Sequence, residues 1–246
     1  VSNLVELERH DDVAVVRMRG GKANALGHAL LTGLLETFDT IDHATSIVLT
    51  GEGKAFCAGL ALPELIDLDR TQMSAHIELF ERVMRRVLTE PRATVAAING
   101  HAYAGGCVLA MMCDARLMAA GDGKIGLNEV HLGIGLPSLV IEPLRARVPS
   151  SSLTALALEG RVVKAKDAVE LGLVDSVGTE ADAMELAKNL GRSPLAYMQI
   201  KHALLRPVLD AIDRHAVSER EVWLDTWFST HAQKLLRGAV DKLRKN

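Results

Sequence analysis

Twice in this chain a short buried-looking strand closes on a glycine, a second glycine-bearing loop follows, and the pattern then changes to the period of a helix. Residues 46–50, SIVLT, are closed by Gly51 and lead into KAFCAGLAL, residues 54–62; residues 94–98, TVAAI, are closed by Gly100 and lead into HAYAGG. Short apolar runs bounded by turn residues read as buried strands, and residues 71–88 and the apolar segment 107–113 read as helices. Units of this kind build a parallel sheet covered by helices, whose ligand sites lie at the carboxyl ends of the strands. Both glycine loops occupy such ends.

The flanking sequence fits an α/β body. Residues 4–8 and 13–18 surround His10, Asp11 and Asp12 and read as a hairpin. Within 25–41 the residues Leu26, Leu30, Leu34, Phe38 and Ile41 recur at helical spacing. Beyond Glu129 the pattern is mostly helical, with Ser150, Ser151 and Ser152 as a cap. The expected division is a core over residues 1–191 and a helical region over 192–246 that carries Trp223 and Trp227.

Composition narrows the partners. A formal net charge of -3 gives no basic field, and two Trp, two Tyr and four Phe offer few stacking platforms, so nucleic-acid binding is not expected. No run of about 18 apolar residues occurs, and the opening residues lack a basic stretch followed by an apolar core. Three cysteines without metal-ligand spacing suit a reduced compartment, and the closing KLRKN is not a peroxisomal address. No membrane association and a cytoplasmic location are the expectations.

The loops suggest chemistry. Gly59 lets the backbone approach a ligand and leaves the next amide outside any strand ladder, while AGGC, residues 104–107, places adjacent glycines at a helix N-terminus whose free amides favour negative charge. Two such loops can converge on one oxygen, and a preorganised donor lowers a barrier by roughly 2.7 to 4 kcal/mol. Glycines at strand ends ordinarily serve turns, so composition alone names no reaction.

NGHAYAGGCVLAMMCDARLMA, KAFCAGLAL and IGLNEVHLGIGLP, together with GKANALGHALL and EGRVVKAKDAVELGLVDSV, resemble the crotonase family, the enoyl-CoA hydratases/isomerases, in order and over nearly the whole chain. The resemblance implies a spiral of ββα units with a C-terminal helical region that forms trimers, often paired into hexamers. It implies an acyl-CoA thioester whose oxygen accepts from the amides of Leu60 and Gly105, with Ala58 and Gly59 along the same path. Lys22, Ala23 and Ala25 would lie along the CoA nucleotide. No cofactor beyond the CoA of the substrate is implied.

Family hydratases use two glutamates, one three residues after the oxyanion glycine and another about twenty residues later. Here the first position is Val108 and the second is Glu129. One carboxylate beside a polarised thioester suffices to move a proton from C2 to C4 of a 3-enoyl-CoA, and IGLNE with AGGC resembles Δ3,Δ2-enoyl-CoA isomerases. The expectation is an isomerase of fatty acyl thioesters with Glu129, Leu60 and Gly105 as its machinery and a Glu129 pKa above the usual value of roughly 4.3. Hydration, another crotonase reaction such as decarboxylation, and a non-catalytic acyl-CoA-binding subunit are the alternatives.

Other features carry less. GDGKIG, residues 121–126, matches a dinucleotide pattern, but Gly133, Gly135 and Pro137 follow where a helix should open. The nine histidines lack metal spacing; His101 and His131 lie near the site in sequence, either packed or solvated. Cys57 and Cys107 read as core thiols, and Lys234, Arg237, Lys242, Arg244 and Lys245 as a solvated helix end or a contact to CoA phosphates. Ala61 stands where the family often has Asp. Leu62, Leu65, Ile66, Leu79 and Val83 either line an acyl tunnel or form core.

Overall fold

The computed structural model describes residues 4–245; the outer limits of the two expected regions, at 1 and 246, lie outside the described residues. Strands β1 (Val5–His10) and β2 (Val13–Met18) form the expected hairpin, joined through the chain to α1 (His28–Thr40), β3 (Ser46–Gly51) and β4 (Ala55–Cys57). Helices α2 (Leu62–Leu65) and α3 (Arg70–Leu88) follow, then β5 (Ala93–Ile98), β6 (His101–Tyr103) and α4 (Gly105–Met112). Next come β7 (Ala115–Met118), β8 (Lys124–Gly126), α5 (Ser138–Arg147), β9 (Val162–Lys164), α6 (Ala165–Glu170) and β10 (Ser176–Val177). Helices α7 (Glu180–Leu190), α8 (Pro194–Phe228) and α9 (Thr230–Lys245) complete the chain.

The strands form a six-stranded sheet in the order β1-β2-β3-β5-β7-β10 and a four-stranded sheet in the order β4-β6-β8-β9. From β3 to β8 the chain alternates between them, so β3–β4, β5–β6 and β7–β8 are successive turns of one spiral. Apart from the β1–β2 and β8–β9 pairs, the ladders are parallel. The sequence reads β4 and β6 as glycine loops and places β9 in a mostly helical region, and it assigns no strand at β8, because three residues are too few to set a periodicity. They are what turns two glycine loops into a second sheet.

Side-chain alternation along the central strands assigns their faces. Ala14, Val16, Ile47, Leu49, Ala96 and Ile98 join the large core with α1, α3 and α4, whereas Val13, Val15, Val48, Val95 and Ala97 meet Ala183 and Ala187 of α7. A satellite core joins Leu65, Ile66, Met73 and Ile77 to Trp223, Trp227, Leu236 and Val240, which docks α8 and α9 beside α2 and α3. Asp114, at the head of β7, accepts from Lys201 of α8 at 2.8 Å and fixes that helix to the sheet. Ser150–Ser152 is itself a 3-10 turn with no side-chain capping bond, so the serines form a turn rather than the expected cap. Among the described residues no helix is long and apolar enough to cross a membrane.

Candidate active site

Gly59 follows β4 with φ +89, a region that L side chains avoid. A methyl group there would stand 2.9 Å from the Tyr103 carbonyl oxygen and 3.2 Å from the Gly105 nitrogen, so the two loops touch through backbone that only glycine leaves open. Leu26 donates to the Gly59 carbonyl at 2.8 Å and accepts from the Ala61 amide at 3.4 Å. In this parallel bridge between Leu26 and Leu60, the bonds from either side of Leu60 point at Leu26 and the Leu60 amide points the other way. It donates to no protein acceptor among the described residues.

Gly105 opens α4, where the first amides of a helix have no carbonyl a turn earlier. Ala104 before it adopts φ 48 and ψ -120, an uncommon conformation for a residue with a side chain. Its own amide is tied to the Gly126 carbonyl of β8 at 2.9 Å, and its carbonyl accepts from Val108 at 2.9 Å, so the turn is pinned on both sides. Gly106 is equally constrained: a methyl there would meet the Cys57 carbonyl oxygen at 2.0 Å. Small residues thus let α4 press against β4.

A cavity of about 360 Å³ runs past these groups and is lined by Ala58, Leu60, Gly105, Val108 and Glu129, among others. Its wall is mainly apolar: Leu62, Ile77, Phe80, Leu139, Val140 and Trp223. Of the residues weighed for an acyl tunnel, Leu62 lines it; Leu65 and Ile66 belong to the satellite core, and Leu79 and Val83 to the main one. The reason is helical phase, since Ile77 and Phe80 face the cavity while Leu79 and Val83 point elsewhere around α3.

Glu129 starts a 3-10 turn, Glu129–Leu132, and is buried with its Oε2 atom lacking any hydrogen-bond partner. Burial pushes its pKa up to about 7, partly offset by a hydrogen bond from its own backbone amide. A neutral carboxyl near physiological pH is therefore in easy exchange with its carboxylate, the condition for proton transfer. Asn128 beside it also lines the cavity, and its Oδ1 is buried without a partner. Val108 is a buried apolar residue on the same cavity, so no carboxylate enters from that position.

The remaining sequence candidates lie around this centre. Ala23 accepts from the Ala58 amide at 2.9 Å, which lays the segment containing Ala23 and Ala25 along the Ala58 strand end. Lys22 is exposed and, like Ala23, Ala25 and Gly59, is not part of the cavity wall. Asn24, missed in the sequence, clamps this segment: it is fully buried in the left-handed conformation and donates to the Ala55 carbonyl at 2.8 Å. His101 bonds the Tyr103 hydroxyl at 2.8 Å and His131 the Glu159 carbonyl at 2.8 Å, and neither lines the cavity. Burial raises the thiols of Cys57 and Cys113 to about 12 and raises Cys107 too, as befits core residues. Lys242 reaches the cavity rim, whereas Arg237 pairs with Asp67 at 3.0 Å. Among the described residues no cluster of His, Cys, Asp and Glu is placed to hold a metal ion.

GDGKIG runs into β8 instead of opening a helix, and a 3-10 turn follows it. Arg220 and Glu81 also line the cavity and were not singled out in the sequence, since no motif links α8 to α3; Trp223, noted there only as part of the helical region, lines it too.

Comparison with known proteins gives the family and the fold. The model of the family described as enoyl-CoA hydratase/isomerase matches residues 8–245. A short-chain-enoyl-CoA hydratase of Clostridium acetobutylicum is 31% identical over 253 residues, covering 99% of this chain and 96% of the relative. An enoyl-CoA delta isomerase of Arabidopsis thaliana, named as peroxisomal, is 28% identical over 234 residues, 89% of this chain and 95% of the relative. The crystal structure of human mitochondrial delta3-delta2-enoyl-CoA isomerase superposes with a TM-score of 0.91 at 23% identity, covering 99% of each chain, a likeness of fold.

Proposed function

The chain belongs to the enoyl-CoA hydratase/isomerase family, and from that premise we propose that it shifts the double bond of a 3-enoyl-CoA to the 2-position. The observation that carries this reading is one buried carboxyl group with an unpartnered oxygen, Glu129, on a cavity whose other family acid position is Val108. Addition of water by two cooperating acids lacks one of them. A double-bond shift needs a single group that takes a proton at one carbon and returns it at another.

In the proposed reaction the thioester oxygen accepts from the Leu60 and Gly105 amides. The Glu129 carboxylate removes a proton from C2, and the C–H electrons delocalise through C1 onto that oxygen, giving a dienolate. Neutral Glu129 then delivers the same proton to C4 while the electrons return from oxygen, leaving the double bond between C2 and C3. Each amide is worth roughly 2.7 to 4 kcal/mol as negative charge develops. Ala58 lies beside the thioester, and Lys22, Ala23 and Ala25 follow the CoA moiety away from it. The step as written uses no metal or redox cofactor.

The test is conversion of short and medium 3-enoyl-CoA by the pure protein. Wild type should produce the 2-enoyl form, and Glu129→Gln should lose about a hundredfold or more of that rate. Unchanged substrate with wild type, or an undiminished rate in the variant, contradicts the reading. The relative from Clostridium acetobutylicum, named a hydratase, favours hydration as a second reading. Rapid hydration of crotonyl-CoA by wild type would select it.

A further inference from the structure

Besides Asn128 and Glu129, the mainly apolar cavity carries a charged pair remote in sequence from the proposed chemistry. Arg220 of α8 donates from Nε to Glu81 of α3 at 3.3 Å and from Nη2 at 2.5 Å, while its Nη1 donates to Glu78 one turn earlier. Glu81 and Arg220 both line the cavity, as do Ile77 of α3 and Trp223 of α8. Two other ion-pair groups tie the same helices, Arg70 to Glu221 and Asp225, and Arg85 to Asp213. None of those residues lines the cavity. Holding α3 to α8 therefore does not require an ion pair at the cavity wall.

The side chains of Arg220 and Glu81 are each 20% exposed, so both remain accessible to solvent. A plain alkyl chain packed against this pair would strip solvent from it and return no hydrogen bond, which is unfavourable for a charged pair. A hydroxyl replaces it on both sides, accepting from the guanidinium, whose Nε contact to Glu81 is long, and donating to the Glu81 carboxylate. An acidic tail fits less well. One guanidinium already faces two carboxylates, and the other cation on the wall, Lys242, is exposed.

We propose that the Glu81–Arg220 pair selects acyl-CoA thioesters whose acyl chain carries a hydroxyl group at its far end over unsubstituted chains of the same length. The inference rests on the acyl-CoA reading of the cavity and is independent of which reaction follows. Calorimetric titration with saturated, unreactive acyl-CoAs from butanoyl to decanoyl, each with and without a terminal hydroxyl, tests it. At one chain length or more, wild type should bind the hydroxylated ligand about tenfold more tightly, as expected for a hydrogen bond to a charged group.

In the double variant Glu81→Leu/Arg220→Met that preference should vanish or reverse, and in Arg220→Lys, which keeps the charge without the fork, it should shrink. Equal affinities for the two series in wild type overturn the inference even if the double variant does not fold. So does a wild-type preference that survives the double substitution. Either result leaves the isomerase reading standing, because that reading is scored by turnover of 3-enoyl-CoA.

Discussion

Glu129 combines burial, an unpartnered oxygen and a pKa raised to about 7, and these have consequences in opposite directions. As a base it must be ionised, so kcat/KM for isomerisation should rise with pH through about 7 and level off above it. The unfolded carboxyl titrates near 4.3, so between that value and the folded one the native state holds an extra proton. Stability must then fall as pH rises through this window, by about 4 kcal/mol in all, and stay low beyond it. Glu129→Gln removes the titration. Chemical denaturation should therefore find the variant more stable than wild type above neutral pH, although it is inactive. Ala104 stores a second tension, since its φ of 48 is one that a side chain disfavours. Ala104→Gly should raise stability by about 1 kcal/mol and lower kcat several-fold, because the Gly105 amide loses its enforced direction. Thermal melts and steady-state rates measure the two halves, and a variant with unchanged kcat would deny Ala104 that role.

At the level of elements, the site depends on how closely α4 approaches β4 and on two strands being only three residues long. Gly106→Ala would drive a methyl into the Cys57 carbonyl and push α4 off β4. A loss of several kcal/mol and of activity is expected, more than the typical cost of about 1 kcal/mol for a point substitution. Denaturant midpoints measure it. The longer strands β2, β3 and β5 and helices α1 and α3 were legible in the sequence because their apolar periods run for a full element. β4, β6, β8 and β9 were not, because pairing with one another defines them and their own residues do not. The same limit separates the site residues. Leu60, Gly105 and Glu129 sit in ordered local motifs that resemble a family, whereas Asn24 acts through its backbone conformation and Arg220 through the packing of α8 on α3. Helical period told that α3 has an apolar face; it did not tell that Phe80, rather than Leu79, borders Gly105.

At the scale of the molecule, a spiral carries the amides and Glu129 on its core turns, and α8 and α9 close the cavity from outside. Leu195, Ile200 and Leu204 stand exposed on α8, 78%, 55% and 70% accessible. An association of three chains through the helical region, the expectation from family resemblance, would cover them. Sedimentation should then give about three times the chain mass of 26.5 kDa, or twice that where trimers pair into hexamers, and Leu195→Glu/Leu204→Glu should shift it toward the monomer; a monomeric wild type contradicts this. The central claim is that one carboxylate carries one proton between two carbons. It is tested most directly by giving the pure protein a 3-enoyl-CoA carrying deuterium at C2 and following the label by nuclear magnetic resonance. The single-carboxylate account predicts 2-enoyl-CoA with part of that deuterium at C4, and no such transfer in Glu129→Gln. Formation of 3-hydroxyacyl-CoA as the main product, or isomerisation that persists in Glu129→Gln, would contradict it.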